Sequence, residues 1–166
     1  VIKVCKKAGV DRFWTDRLIP IGSNKLDIVS TDEYVQYLKV LGKESKKAAR
    51  NPFIKTRIHT NRALQFMCGC VENCYRCSAG KSLLTILADG TLLPCRRLPI
   101  ELGDLTNDSI DLIMKNSELI RQLKEDDIAP ECKQCTYWNN CRGGAKCLTY
   151  AVTGQLIGRD VNCPFH

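Results

Sequence analysis

Nowhere in this sequence does an apolar run approach the roughly 20 residues that a membrane-crossing helix requires. A membrane role is therefore not expected. The start, with Lys3, Lys6, Lys7, Asp11 and Arg12, has no apolar core of the kind a signal peptide needs. Internal repeats and low-complexity stretches are missing too. Export is not expected on these grounds, and a cytoplasmic setting is. The first residue is Val rather than Met, which leads us to expect a fragment or a processed chain. Aromatic residues are few, at 7%, yet hydrophobic content is 44% and charged content 26%, the balance of a globular chain. With 166 residues there is material for one domain or two small lobes.

Charge gives only a weak signal. The formal net charge of +7 is spread along the chain, and its densest patch, Lys43–Arg50, mixes Lys43, Lys46, Lys47 and Arg50 with Glu44. We read that patch as a solvated helix face, and nucleic-acid binding is not expected.

Cysteine is the abundant residue. The chain has eleven, and ten of them fall between Cys68 and Cys163. A secreted disulfide framework calls for an even count and an export signal, and neither is found. Scattered core thiols would not gather at short spacings. Metal ligation remains, with iron–sulfur clusters favoured and zinc the alternative.

The residues before Cys68 suggest mixed helix and strand. Val1–Ala8 reads as a helix end closed by Gly9. Phe13–Ile21 is rich in β-branched and aromatic residues and reads as a strand running into the Pro20–Gly22 break. Ser30 or Thr31 can cap a helix with Glu33 behind it; Tyr34, Val35, Leu38 and Leu41 form its apolar stripe, and it extends toward Ala49. Phe53–Met67 carries no decisive pattern. After Cys68 the reading changes. Leu83–Leu87 and Leu92–Cys95 flank Asp89–Gly90 as a β-hairpin. A loop through Gly103 and Asp104 leads to short helices near Ser109–Lys115 and Glu118–Lys124, with Leu112, Leu119, Ile120 and Leu123 expected inside. Cysteine-rich turns, a short helix near Gly144–Val152 and a tail to Cys163 follow.

Two cysteine groups carry chemistry. In Cys132-x2-Cys135-x5-Cys141 the two-residue gap lets both thiolates of one turn face a common centre. Cys147 and Cys163 follow from more distant segments and can close the site. Gly143 and Gly144 allow backbone N–H groups to approach the sulfur atoms, which helps set a cluster potential. Four thiolates would suit zinc equally well by geometry. The second group, Cys77 and Cys95, brackets the hairpin and supplies two ligands; Cys147 and Cys74 are the candidates to complete it, and a pair of core thiols is the plain alternative.

Cys77-Ser-Ala-Gly80, Asp89-Gly90-Thr-Leu-Leu-Pro94-Cys95, Cys132-x2-Cys135-x5-Cys141-Arg-Gly-Gly144 and Cys163-Pro164 resemble, in order, the SPASM domain. That domain is the C-terminal extension of many radical S-adenosylmethionine (SAM) enzymes, including maturases of ribosomal peptides and of anaerobic sulfatases. Val10–Gly22 is similar to the last barrel strand and bridging region of the same enzymes. The resemblance implies that Cys132, Cys135, Cys141 and Cys163 hold one auxiliary [4Fe–4S] cluster and that Cys77 and Cys95 belong to another. The family pattern has a further cysteine shortly past the one matching Cys141; Ala145 stands at that position here, and Cys147, two places on, is the candidate to substitute for it. A further thiol of some relatives corresponds to Leu83. The second site is thus irregular, completed by Cys74, Cys70 or Cys68, left with an open iron able to take a substrate thiolate, or absent.

Cys70-x3-Cys74-x2-Cys77 has the spacing these enzymes use for the SAM-binding cluster. Its context is wrong for that role. The 89 residues after Cys77 cannot supply a barrel, and Arg76 stands where an aromatic is usual, with Tyr75 one place early. His59 reads as structural, and Asp16 and Arg17 read as a strand-end ion pair or as pocket residues.

The resulting expectation is an α+β chain: a remnant of a partial α/β barrel over 1–67, then a SPASM-like domain over 68–166 with a β-hairpin, short helices and cluster loops. It implies a part of a radical SAM oxidoreductase or maturase, inactive alone, with one or two [4Fe–4S] clusters and SAM in the complete enzyme. The expected partners are a missing N-terminal barrel, a peptide or protein substrate and an electron donor. An iron–sulfur electron-transfer module or a zinc-stapled interaction domain is the rival reading.

Overall fold

The computed structural model describes residues 1–22, 27–69, 75–125 and 129–165. Cys70 and Cys74 lie outside them. Helix α1 (Ile2–Lys7) ends at Ala8 and Gly9, where φ is +67° and a residue without a Cβ is favoured. Strand β1 (Arg12–Phe13), helix α2 (Thr31–Arg50) and strand β2 (Arg57–Ile58) follow, and β1 pairs with β2 in parallel, Arg12 opposite Arg57. Helix α2 starts as its sequence dictates. The Ser30 hydroxyl accepts from the Glu33 N–H at 3.3 Å, while the Glu33 carboxylate accepts from the Ser30 N–H at 2.9 Å. Its buried stripe of Tyr34, Leu38 and Leu41 packs with Ile58, Leu64 and Cys68 into one core.

The strand expected over Phe13–Ile21 is confined to Arg12–Phe13. Beyond Phe13, side chains take the backbone acceptors that a strand partner would otherwise use. Gln65 Nε2 donates to the Thr15 carbonyl at 3.0 Å, and Arg97 Nη2 donates to the Arg17 carbonyl at 3.3 Å.

The hairpin forms where the sequence places it. Strands β3 (Thr85–Ile86) and β4 (Thr91–Leu93) pair antiparallel, and Gly90 turns between them at φ +93°. The stretch expected as a plain loop supplies a third strand, β5 (Gly103–Asp104), paired to β4. Helices α3 (Ile110–Asn116) and α4 (Glu118–Glu125) follow. Ile120 and Leu123 are buried as expected. Leu112 is not: it is 47% exposed, and Ile113 takes the inside position. The absent side chain of Gly103 is the reason, since Ile113 packs into the space a Cβ there would occupy. Short α5 (Trp138–Cys141) and α6 (Lys146–Thr153) frame the last cysteine turns. A second core gathers Ala79, Leu98, Ile120 and Leu123 against Cys77, Cys95 and Cys147. Among the described residues the sheets have two and three strands, and no barrel closes.

Arg17 joins the early segment to the last. Its guanidinium donates to both Asp160 oxygens, at 2.5 and 2.7 Å, and to Asn162 Oδ1 at 2.9 Å. The two charged side chains are 3% and 0% exposed. Arg17 also lies 4.6 Å from the Tyr34 ring centre, which ties the pair to α2. Removing one partner of such a pair strands the other charge in the interior. R17M is expected to destabilise the chain by about 3–5 kcal/mol in urea unfolding. R17M/D160N, which removes both charges, is expected to cost less than the two single changes together. A cost for R17M below about 1 kcal/mol would deny the pair this role.

Candidate metal centres

Seven of the cysteines fall into two groups. Cys132 ends a short 3-10 turn (Pro130–Cys132), Cys135 follows in the next turn, and Cys141 closes α5. Arg142 and Gly143 then take left-handed backbone, turning the chain back on itself. Cys163 arrives from the C-terminal segment. All four thiols border one small cavity together with Tyr137, Trp138, Arg159 and Asp160. A wider recess of about 570 Å³ opens beside it, lined by Cys132, Cys135, Cys163, Tyr137 and Phe165. The Tyr137 and Phe165 rings stack with centres 4.2 Å apart.

The group is buried, and burial disfavours thiolates. It pushes Cys141 up to about 12, reinforced by Asp160 and by Cys163 and Cys132, while the Gly143 amide hydrogen bond pulls the other way. Burial also raises Cys132, with Cys163 and Cys135 adding to it and Arg159 opposing. Cys163 is raised chiefly by burial, against the Phe165 carbonyl contact and Arg159. These thiols resist ionising one by one, and a bound cation would favour their ionising together.

The second group lies in a cavity of about 420 Å³ lined by Cys77, Cys95 and Cys147 among others. Cys77 precedes the turn into β3, Cys95 follows β4, and Cys147 sits in the first turn of α6. The backbone N–H of Arg97 donates to Cys95 Sγ at 3.4 Å. Burial pushes Cys147 up to about 11, with Cys77, Asp16 and Cys95 adding to the shift and Arg97 opposing it. Ala145, two residues before Cys147, is buried against Ala63 and Leu148, and its N–H donates to Asp160 Oδ2 at 2.7 Å. Leu83 lines the same cavity as a partly exposed apolar side chain.

The other candidates go elsewhere. Cys68 belongs to the α2 core, where its thiol donates to the Leu38 carbonyl at 3.3 Å. His59 stands beside β2, its backbone N–H bonded to the Phe13 carbonyl. Asp16 accepts from Arg97 at 2.5 Å, and Arg17 faces Asp160, so both serve ion pairs. Sequence reading missed Arg97 and Arg159. The only available signal was their nearness to Cys95 and Cys163 in the chain, which says nothing of where a guanidinium points.

No disulfide joins the nine described cysteines. Among the described residues, no three His, Cys, Asp or Glu side chains form a ready single-ion site, although the thiols of each group line a common space. Soft sulfur donors around a shared space suit an iron–sulfur cluster.

Residues 77–136 match the SPASM family, an iron–sulfur cluster-binding domain. The chain resembles the C-terminal part of a radical SAM enzyme carrying that domain. Two curated relatives agree. One is the mycofactocin maturase of Mycobacterium ulcerans, 29% identical over 57% of this chain and 27% of its own length. The other is the AdoMet-dependent heme synthase of Methanosarcina barkeri, 26% identical over 76% of this chain and 33% of its own length. Among solved structures, native anSMEcpe with bound AdoMet and the Kp18Cys peptide shares the fold. Its TM-score is 0.68 at 16% identity, covering 98% of this chain and 48% of that one. The chain therefore spans a quarter to a half of the length of the proteins it matches. No described helix is long and apolar enough to cross a membrane.

The raised thiols set a pH dependence. A group protonated more firmly in the fold than in the open chain adds stability below its ordinary value, about 8.5 for cysteine, and loses it as pH rises through the folded value. The metal-free chain is expected to lose thermal stability steadily from about pH 8.5 toward pH 12. In the same range Cys141 and Cys147 are expected to become alkylatable by iodoacetamide, read by peptide mass mapping. Rapid alkylation of both at pH 8 would contradict their burial.

Proposed function

We propose that this chain is the auxiliary-cluster part of a radical SAM enzyme that modifies a peptide or protein. Cys132, Cys135, Cys141 and Cys163 would hold one [4Fe–4S] cluster. Cys77, Cys95 and Cys147, with Cys74, would hold a second. The observation that carries this reading is the gathering of distant thiols into two buried groups within and beside the matched SPASM segment.

A cluster so held supplies one-electron chemistry when bound. The chain's own residues do the rest. Tyr137, Phe165 and Trp138 cover the four-thiol group and limit water at it, and the Gly143 amide and Arg159 aim positive charge at its sulfurs. The Arg97 N–H and guanidinium do the same for the second group. Donors and positive charge near the sulfurs favour the more reduced, more negative state. The two sites thereby suit accepting an electron from a substrate radical, or fixing the substrate near it. Residues 1–67 we assign to the end of the SAM barrel and its bridging region. The β1–α2–β2 unit, two parallel strands joined by a helix, supports that assignment. The names of the relatives support the substrate class: one is a maturase, and one solved neighbour was captured with a peptide.

The rest of the barrel and the SAM-binding cluster would then lie outside this chain. Incubated anaerobically with SAM and dithionite, the cluster-loaded chain is expected to release no 5′-deoxyadenosine, whereas the polypeptide including the barrel should release it. Release by the chain alone, abolished by C70A, would instead make Cys70-x3-Cys74-x2-Cys77 a SAM site and overturn the auxiliary assignment.

A further inference from the structure

The cavity around Cys77, Cys95 and Cys147 is walled by four arginines, Arg62, Arg76, Arg96 and Arg97, and by Trp14. Among the described residues, the carboxylate that faces these cations is Asp16, which takes the Arg97 guanidinium at 2.5 Å and lies 3.8 Å from Arg62 Nε. Arg62 lies over the Trp14 ring, 4.7 Å from its centre, and Trp14 remains 56% exposed. Arg76 donates to the Tyr75 and Asn139 carbonyls, which orients its guanidinium without cancelling its charge. Arg96 is exposed at the rim. Among the described residues, four positive groups against one negative leave the wall cationic. A [4Fe–4S] cluster bound through four thiolates, as proposed above, adds about two negative charges when oxidised, because its core offsets only part of theirs. The wall stays positive.

We propose that this cavity binds an acidic peptide segment, its Glu or Asp carboxylates taken by Arg76 and Arg96 and its backbone or side chain resting on the Trp14–Arg62 platform. Tryptophan and arginine at a concave, partly desolvated mouth are the residue types that dominate recognition of protein partners. Guanidinium groups pair with carboxylates through two parallel hydrogen bonds, which gives direction as well as attraction. A nucleic acid would be drawn by the same charge, but the arginines gather around one open-mouthed cavity and do not trace the stripe that a phosphate backbone needs. The inference deepens the peptide reading above and rests on it, since it names the chemical class of substrate that would be brought beside the second cluster.

The test uses the full chain, loaded anaerobically with iron and sulfide, and two fluorescein-labelled peptides, Gly-Glu-Glu-Gly and Gly-Gln-Gln-Gly, followed by anisotropy at low salt. The acidic peptide is expected to bind at least about tenfold tighter, the preference fading as salt screens it. R76Q/R96Q, both changes at exposed positions, should abolish the preference while iron content and circular dichroism stay as in the wild type. R76K/R96K should retain a weaker preference. Equal binding of the two peptides, a preference that survives R76Q/R96Q, or tighter binding of a single-stranded oligonucleotide of equal charge would overturn the inference. With iron and sulfide present, such a result would leave the cluster assignment standing. Tightly held zinc without sulfide would overturn the cluster assignment and this inference with it.

Discussion

The Asp160 carboxylate is the point on which both thiol groups depend. It accepts two hydrogen bonds from Arg17, one from the Ala145 N–H and one from the Asn162 N–H. Apart from Arg17, the residues involved lie within a few residues of a cysteine. Asp160 and Asn162 lead to Cys163, Ala145 is two residues before Cys147, and Gly144 follows Cys141 by three. A Cβ on Gly144 would collide with the Asp160 side chain, and the glycine adopts φ +74°, so the carboxylate reaches the turn only because that position has no side chain. A buried ion pair contributes little net stability relative to a well-packed apolar pair, since desolvation offsets most of its attraction. Its effect here is positional. It fixes the C-terminal segment against α6 and against the N-terminal segment, which sets how far apart the thiols can stand.

The same burial creates the opposing constraint. Arg17 stays ionised although its surroundings disfavour the charge, because Asp160 outweighs them. The thiols have no such fixed partner, and burial holds Cys132, Cys141, Cys147 and Cys163 toward the protonated form. A protein that orders thiols before they are ionised stores a binding site whose loading releases protons, so affinity for a metal group rises with pH. Arg97 and Arg159 lower that barrier without occupying ligand positions. Ordering the site and making its loading depend on proton release are two results of one packing arrangement.

Much of this was legible in the chain itself. The Ser30–Glu33 cap, the Asp89–Gly90 hairpin and the spacing of Cys132, Cys135 and Cys141 depend on residues close in sequence, and local chemistry decides them. The placement of Cys147 beside Cys77 and Cys95 was expected as one option and depends on helix α6 turning its first thiol toward the hairpin. The failures have a common cause in long-range contacts. Phe13–Ile21 has the composition of a strand, yet Gln65 and Arg97 take its carbonyls from 50 and 80 residues away. Leu112 and Ile113 are both strongly apolar, and it is Ile113 that packs against the bare backbone of Gly103. No sequence pattern announces that Arg17 will meet Asp160 across 143 residues.

The central claim is that the two thiol groups hold iron–sulfur clusters, and the direct measurement is iron, acid-labile sulfide and zinc per chain after anaerobic reconstitution, with an absorption spectrum. Two [4Fe–4S] clusters would give about eight irons and eight sulfides with a broad band at about 400 nm. About four of each, lost in C135A and kept in C95A, would leave the Cys132–Cys163 site and remove the second one. One or two tightly held zinc ions without sulfide would contradict the account and identify a zinc-stabilised domain in its place.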